Sequence, residues 1–275
     1  MATIYKQGSK GDDVKMIQQA LVRVGYKVGT DGVYGPKTAD AVRAFQRANG
    51  LKPVDGIVGT VTMARLMAQS VTGKPASGDG LQIVDGHIST HITFCIGRPI
   101  KYIAIHYTAG GNSRKGTALA TRNVFLTRQA SADFVVDDEQ IVQISPDIKN
   151  YYTWSVGDKK NSNNGGGRLY GVATNKNTIS IEICSSLRSG TTAQVPNHEG
   201  WYFTDNVLDN TLRLVRHLMK QYGIPKTNVV RHYDVSGKLC PGIIGWNDGP
   251  IYTVAGKVTT KKSDSAKWKA FWEKI

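Results

Sequence analysis

Two histidines and a cysteine have the residue types and settings of a metal-binding site. His232 and Cys240 bracket the loop RHYDVSGKLCP (231–241), and His106 stands where the apolar run KYIAI reaches a glycine-rich turn. Zinc favours imidazole nitrogen and thiolate sulfur, and a catalytic zinc site has three protein ligands and one open position. A lone histidine at a strand end is more often structural, so the three residues predict a zinc site only as a set.

A carboxylate within an apolar run is the second sign of chemistry. In NTISIEIC (177–184) the isoleucines alternate with Ser180, Glu182 and Cys184, so a strand would place these three residues on one face. A buried carboxylate is costly unless it is paired or functional, which marks Glu182 as a candidate site residue. We expect Cys184 to be a buried thiol and not a ligand.

A lysine near the cysteine could supply positive charge. Lys238 lies two residues before Cys240, so in locally extended chain the two side chains project to the same side. A cation beside a metal can stabilise the oxyanion of a tetrahedral intermediate. The plainer alternative is a solvated lysine in a loop.

The elements that must position these residues predict an α/β fold. Alternating and apolar runs indicate strands, and apolar residues at three- and four-residue steps indicate a long helix. The predicted strands are 102–107, 133–144, 178–184 and 228–231, and the predicted helix is 204–222. Strands combined with a helix in this way favour a mixed β-sheet with helices packed on it.

The N-terminal part of the chain predicts a small all-α domain of three helices. Apolar residues recur at helical spacing over 14–24 and 41–48, and 61–67 can supply a third short helix. The pattern D-G-x-x-G-x-x-T occurs twice, at 31–38 and 55–62. We expect a turn in each copy.

In those turns we expect the second glycine, Gly35 or Gly59, to adopt a positive φ and deliver the chain into a helix. Pro36 then falls in the first helical turn, where proline is tolerated.

The composition along the chain predicts four parts. A domain at 1–70 is followed by the linker VTGKPASGDG at 71–80, which is rich in Gly, Ser, Pro and Thr. A larger domain follows at 81–253, and a basic segment with amphipathic helical spacing ends the chain at 254–275. That last segment either packs back on the larger domain or contacts an anionic polymer such as that of a wall.

The charge of the chain implies an anionic partner. Lys and Arg total 35 against 21 acidic residues, a net charge of +14. Nucleic acid and anionic wall polymers both fit this charge, but no motif supports nucleic acid. Three cysteines cannot form a closed disulfide framework, which favours reduced thiols or a metal thiolate. No apolar run is long enough for a transmembrane segment.

The start of the chain, MATIYKQGSKGDDVK, lacks the pattern of a secretory signal. We therefore expect a protein that stays in the cytoplasm until it is released, or one that is exported by another route.

Taken jointly, the I-x-I-H-x-T strand and the R-H-x-D-x-x-x-K-x-C-P loop resemble the amidase-2 family, which includes phage endolysins and peptidoglycan-recognition proteins. The resemblance implies that His106, His232 and Cys240 bind Zn²⁺. It also implies that Glu182, in an I-x-I-E motif, is the general base that takes a proton from the attacking water, and that Lys238 stabilises the oxyanion.

One position departs from the family. Some relatives carry an aromatic residue or a histidine in the strand matching 131–134, where it helps to position the reacting amide. This chain has Ala132 and Asp133 there, so the auxiliary group stays open.

The N-terminal part resembles the peptidoglycan-binding domain found on many wall hydrolases. The resemblance lies in G-x-x-G-x-x-V-x-x-I-Q-x-x-L (8–21), in the D-G-x-Y-G-x-x-T turn and in A-V-x-x-F-Q (41–46). Together the two resemblances imply zinc-dependent hydrolysis of the amide between N-acetylmuramic acid and L-alanine in peptidoglycan, which would be both substrate and anchor. The alternative is a protein that recognises peptidoglycan without cutting it.

Overall fold

The computed structural model describes residues 4–59, 61–63, 65–66, 81–157, 165–192, 195–253 and 257–275. Within the chain two compact units form, Met1–Ala76 and Ser77–Ile275. The predicted linker at 71–80 lies outside the described residues. No helix in the described part of the chain has the length and apolarity of a membrane span.

The first unit is helical, as the sequence predicts. Helix α1 spans Asp12–Arg23 and α2 spans Pro36–Ala48, with Pro36 in its first turn. Residues 61–63 and 65–66 are also helical, where a third helix is expected. The core of this unit consists of side chains at the predicted helical spacing, among them Val14, Ile17, Leu21, Val42, Phe45 and Leu66.

Two buried glutamines hold the repeated turns against the helices. Gln18 Nε2 donates to Asp31 Oδ1 and to the Val33 carbonyl, each at 2.9 Å, and Gln18 Oε1 accepts from the Gly32 amide at 2.9 Å. Gln46 makes the same set of bonds in the second copy, to Asp55, Ile57 and Gly56. The repeat therefore includes a helix glutamine as well as its turn.

The glycine that takes a positive φ is the first one of each turn, so our expectation for Gly35 and Gly59 is wrong. Gly32 has φ +76° and Gly56 has φ +73°, whereas Gly35 has φ −88°. Gly59 is not among the described glycines with positive φ. Gly35 is instead the N-cap residue of α2, with extended backbone. Close packing also requires glycine at position 56, because a Cβ atom added there would lie 2.9 Å from a helix carbonyl oxygen.

The second unit contains twelve strands and four helices among its described residues. In chain order the strands are β1 Val84–Asp85, β2 Ile92–Phe94, β3 Tyr102–Tyr107, β4 Phe134–Val136, β5 Ile141–Gln143, β6 Tyr151–Thr153, β7 Thr178–Ile183, β8 Ser186–Leu187, β9 Trp201–Tyr202, β10 Val229–Arg231, β11 Pro250–Tyr252 and β12 Val258–Lys262. The helices are α3 Thr117–Val124, α4 Asp205–Tyr222, α5 His232–Ser236 and α6 Ala266–Glu273.

Six strands form the main sheet in the order β1-β5-β4-β7-β3-β10. The β4–β5 pair is antiparallel and the other neighbours are parallel, which gives the predicted mixed sheet with helices packed on it. Pairs β2–β6, β8–β9 and β11–β12 form small antiparallel sheets.

The single strand expected at 133–144 is instead the hairpin of β4 and β5. Asp137 reverses the chain, because its carboxylate oxygen Oδ1 accepts the amides of Glu139 and Gln140 at 3.0 and 2.8 Å. Residues on both sides of this turn are apolar and buried, so the sequence reads as one continuous run.

The two faces of the central strands differ, as the alternation in the sequence predicts. The isoleucines of β3 and β7 pack with α4 in the main hydrophobic core. Ala104 faces the other way, into a small cluster with Val156 and Val230. His106 and Glu182 share this second face with Ala104 because side chains alternate along a strand.

The C-terminal segment packs on the second unit. Trp268 and Phe271 of α6 are buried in the main core, where both rings lie against Trp246. Of the two alternatives for this segment, the structure therefore shows the packed one. Its helix is preceded by β12, a strand that the sequence did not predict.

A buried ion pair ties the main sheet to a preceding loop. Arg98 Nη1 lies 2.9 Å from Asp133 Oδ1, and both side chains are fully buried. The other oxygen of Asp133 accepts from the Thr153 hydroxyl at 3.0 Å and from the Ser180 amide at 2.8 Å. Both carboxylate oxygens of Asp133 thus bind structural partners, so we assign this residue a structural role.

Replacement of Asp133 by alanine should lower the free energy of unfolding by about 3–5 kcal/mol, because it leaves the Arg98 charge buried and unpaired. Chemical denaturation of the full chain, followed by tryptophan fluorescence, measures this. The matched control is Glu139→Ala, which removes the exposed pair with Lys115 and should cost less than about 1 kcal/mol. Equal losses in the two variants would contradict the structural role of the buried pair.

Candidate metal centre

Three buried side chains meet at the carboxyl end of the central strands. His106 lies in β3, His232 begins α5 directly after β10, and Cys240 follows α5 in a loop. One ligand atom from each lies within 4.8 Å of the others. Cys240 Sγ is 3.8 Å from His106 Nδ1, and the two imidazole centroids are 4.5 Å apart. The structure therefore brings together the residues that the sequence singles out as ligands.

After α5 the chain reverses tightly and brings Cys240 back beside the start of the helix, where His232 lies. Gly237 ends α5 with φ +80°, a conformation that favours glycine, and the chain then turns back. The amide of Tyr233 donates to the Cys240 carbonyl at 2.9 Å. This bond places the cysteine beside the helix turn that carries the histidine.

A backbone carbonyl fixes the tautomer of His232. Its Nε2 lies 3.0 Å from the carbonyl oxygen of Val156, which can only accept, so Nε2 carries the proton. Nδ1 of the same ring is then a bare lone pair, and it is buried without a hydrogen-bond partner in the structure. Metal-binding histidines commonly have this second bond to a carbonyl, which orients the ring.

Burial keeps both histidines neutral. It lowers the pKa of His232 to about 3, and the nearby positive charge of Lys238 acts in the same direction. Burial, with the charges of His232 and Lys238, also holds the pKa of His106 well below its usual range. Neutral imidazole is the form that binds a metal ion.

For Cys240, by contrast, burial disfavours the metal-binding form, which is the charged thiolate. Burial, with the negative charge of Glu182, raises the pKa of Cys240 to about 12, and Lys238 only partly offsets this. A thiolate in this place needs a strong local cation, since metal ions deprotonate the thiols that coordinate them.

The donor set fits zinc. Tetrahedral ligands bound at about 2.3 Å (sulfur) and about 2.0 Å (nitrogen) lie about 3.5 Å apart. The observed separation of 3.8 Å between Cys240 Sγ and His106 Nδ1 needs only a small contraction. Two neutral imidazoles and a thiol, with an unpartnered buried nitrogen on His232, meet the requirements of the ion in type and placement.

Glu182 lies beside His106 on the neighbouring strand. The two residues are paired in the parallel register of β3 and β7, which aligns their side chains on one face. Oε2 of the carboxylate is buried and has no hydrogen-bond partner in the structure. Burial raises the pKa of Glu182 to about 7, against the opposing charges of Lys238 and Arg128. A carboxylate in this state is suited to accept a proton near neutral pH.

Lys238 is exposed, and its charge reaches the site. It lowers the pKa of both histidines and opposes the rise at Glu182 and Cys240. No ion pair of Lys238 with another described residue occurs. The role of Lys238 in the chemistry stays a prediction.

Two residues with an influence on the site were not predicted from the sequence. Val156 contributes only its backbone carbonyl, for which no side-chain signal exists. Arg128 adjoins Glu182 closely enough to lower its pKa, but it lies in a turn without a motif. The remaining cysteines, Cys95 and Cys184, are free thiols outside the cluster, and Cys184 is buried as expected.

Comparison with known proteins identifies the family of this fold and site. The family profile described as N-acetylmuramoyl-L-alanine amidase matches residues 96–243, more than half of the chain. The chain belongs to this amidase family. The profile described as a putative peptidoglycan binding domain matches residues 10–66.

Curated relatives match parts of the chain. N-acetylmuramoyl-L-alanine amidase CwlH of Bacillus subtilis (strain 168) is 33% identical over 51% of this chain and 46% of its own length. N-acetylmuramoyl-L-alanine amidase CwlL of Bacillus licheniformis is 40% identical over 28% of this chain and 22% of its own. The chain thus spans less than half the length of either relative.

Among solved structures, one of PlyL is 26% identical with a TM-score of 0.41, covering 58% of this chain and 86% of that one. The catalytic domain of XlyA is 26% identical with a TM-score of 0.40, covering 58% and 90%.

Replacement of Cys240 by alanine should abolish stable zinc binding, because two imidazoles alone leave the ion without its only anionic ligand. Zinc content after dialysis, measured by mass spectrometry of the metal, tests this: we expect about one ion per chain in the parent protein and close to none in the variant. Cys184→Ala is the matched control, since that thiol is buried outside the cluster. Zinc retained by the Cys240 variant would contradict the assignment.

Proposed function

We propose that this protein is a zinc-dependent N-acetylmuramoyl-L-alanine amidase that cuts the bond between N-acetylmuramic acid and L-alanine in peptidoglycan. The observation that carries the proposal is the buried cluster of His106, His232 and Cys240, with Glu182 on the neighbouring strand, whose buried Oε2 has no hydrogen-bond partner. Membership of the amidase family gives the scissile bond. A protein that only recognises peptidoglycan would need neither the complete ligand set nor the carboxylate.

Zinc, when held by the three ligands, supplies a Lewis acid that polarises the amide carbonyl and brings the pKa of a water molecule toward about 7. Glu182 accepts the proton of the attacking water and returns it to the leaving amine of L-alanine. Its raised pKa suits both steps, because a group that titrates near neutrality is a competent base and a competent acid.

Lys238 stabilises the negative charge that develops on the carbonyl oxygen. Its positive charge lowers the pKa of His232 and opposes the rise in the pKa of Glu182, which supports this role. A fixed cation near an oxyanion lowers the barrier because the charge is greater in the transition state than in the bound substrate.

The N-terminal unit anchors the enzyme on the polymer. Residues 10–66 match a putative peptidoglycan binding domain, and linkage to a binding module raises the local concentration of the catalytic unit at an insoluble substrate. The net charge of +14 adds attraction to anionic wall polymers, which weakens as salt rises. We infer that the protein acts at the bacterial cell wall.

The experiment is digestion of purified peptidoglycan by the zinc-loaded full chain, with mass spectrometry of the products. We expect free stem peptides that begin with L-alanine and glycan strands with intact lactyl groups. Glu182→Gln should retain zinc and lower kcat about 10²–10⁴-fold, because the amide side chain cannot accept the proton.

Glu139→Gln makes the same chemical change at an exposed carboxylate and should leave kcat unchanged. Intact peptidoglycan after incubation with the zinc-loaded parent protein, together with tight retention on the polymer, would overturn the amidase and favour a recognition protein. Full activity of Glu182→Gln would remove that residue from the mechanism.

A further inference from the structure

A buried arginine stands immediately before the ligand His232. The guanidinium of Arg231 donates through Nε and Nη2 to the two carboxylate oxygens of Asp234, at 2.9 and 2.8 Å. The backbone amide of Arg231 also donates to Asp234, at 2.9 Å. This two-point clamp fixes the start of α5, and the first residue of α5 is His232.

Besides the ring of Tyr233, at 5.0 Å, the guanidinium contacts groups further along the chain. Nη1 of Arg231 donates to the Ser265 hydroxyl and to the Trp246 carbonyl, each at 2.8 Å. The Ser265 hydroxyl in turn donates to Asp248 at 2.6 Å. The ring of Trp268 lies 5.5 Å from the guanidinium carbon, within the range of a cation–π contact.

Residues 263–268 also hold the loop that begins at Cys240. The Ser263 amide donates to the Gly249 carbonyl and the Trp268 amide to the Gly245 carbonyl, both at 2.9 Å. Within the loop, the buried Asn247 side chain donates to the carbonyl of Pro241, the residue after the cysteine ligand, at 2.6 Å. Residues 263–268 therefore brace the chain next to two ligands.

Ser265 adopts a backbone conformation that is costly for its residue type. Its φ is +57° and its ψ is +18°, in the left-handed region that non-glycine residues rarely occupy. The hydrogen bonds of its hydroxyl group to Arg231 and Asp248 accompany this conformation. Such strain at a single residue indicates that the hydroxyl group serves a role that outweighs the cost.

We propose that residues 263–268 are a positioning element of the metal centre, in which Ser265 and Trp268 act on His232 through Arg231. The inference rests on the proposed function only in requiring that the three ligands hold zinc. The amidase profile ends at residue 243, so this element lies outside the part of the chain that the family defines. Groups behind the ligands commonly alter metal affinity because they fix ligand orientation.

The test compares zinc affinity in full-chain variants by competition with a chromogenic chelator, with the visible spectrum of the cobalt-substituted protein as a second readout. Ser265→Gly removes the hydroxyl, and the relief of backbone strain offsets part of the cost of its two lost hydrogen bonds. We expect it to weaken zinc binding about 10-fold and to shift the cobalt bands. Trp268→Leu should act in the same direction.

Trp272→Leu is the matched control. Trp272 lies one turn further along α6, packs on the same core and contacts Lys226, not Arg231. It should lower the thermal midpoint while leaving zinc affinity and the cobalt spectrum unchanged.

Wild-type zinc affinity in Ser265→Gly, or an equal loss of affinity in the two tryptophan variants, would overturn the proposal. A parent protein that binds zinc but releases no stem peptides would refute the amidase and leave the positioning role standing. A parent protein that binds no zinc would overturn both.

Discussion

A sulfur atom buried between two neutral imidazoles is the feature on which the second unit depends. Without a cation the site is poorly satisfied, because burial keeps Cys240 protonated and leaves the His232 Nδ1 lone pair without a partner. A divalent ion resolves both problems, since it binds the thiolate and the bare nitrogens together. The chemistry of the centre and the stability of its surroundings are therefore linked.

Side chains alternate between the two faces of the central strands, so one face packs in the core and the other faces the site. Along β7 the isoleucines face α4 and contribute to the hydrophobic core, while Glu182 faces the site. Along β3 the same division separates Ile105 from His106. Because both strands are central and parallel, their register is fixed by pairing on two sides, which holds the ligand and the carboxylate at one level of the sheet.

Much of this arrangement could be predicted from the sequence because its signals are local. Strand β3 coincides with the predicted 102–107, and the ligand set follows from a strand motif and one loop. The hairpin of β4 and β5 was predicted as one strand because its residues are buried throughout, which hides the reversal at Asp137. In the D-G turns, the turn residues do not reveal how closely the first glycine approaches a helix.

The contacts that orient the site could not be predicted because they join residues that lie far apart in the sequence. The Val156 carbonyl is a backbone group, and it bonds to His232, which lies far from it in the sequence. The sequence left the role of Asp133 open, because its partner Arg98 lies far from it in the chain. Long-range polar pairs of this kind have no periodicity and no fixed spacing.

The identity of the atoms around the metal tests the account most directly. X-ray absorption at the zinc edge of the zinc-loaded full chain reports ligand type and distance in solution. The account predicts two nitrogen ligands at about 2.0 Å and one sulfur at about 2.3 Å, with an oxygen completing the shell. A first shell composed of nitrogen and oxygen alone would contradict it, because Cys240 would then not be a ligand.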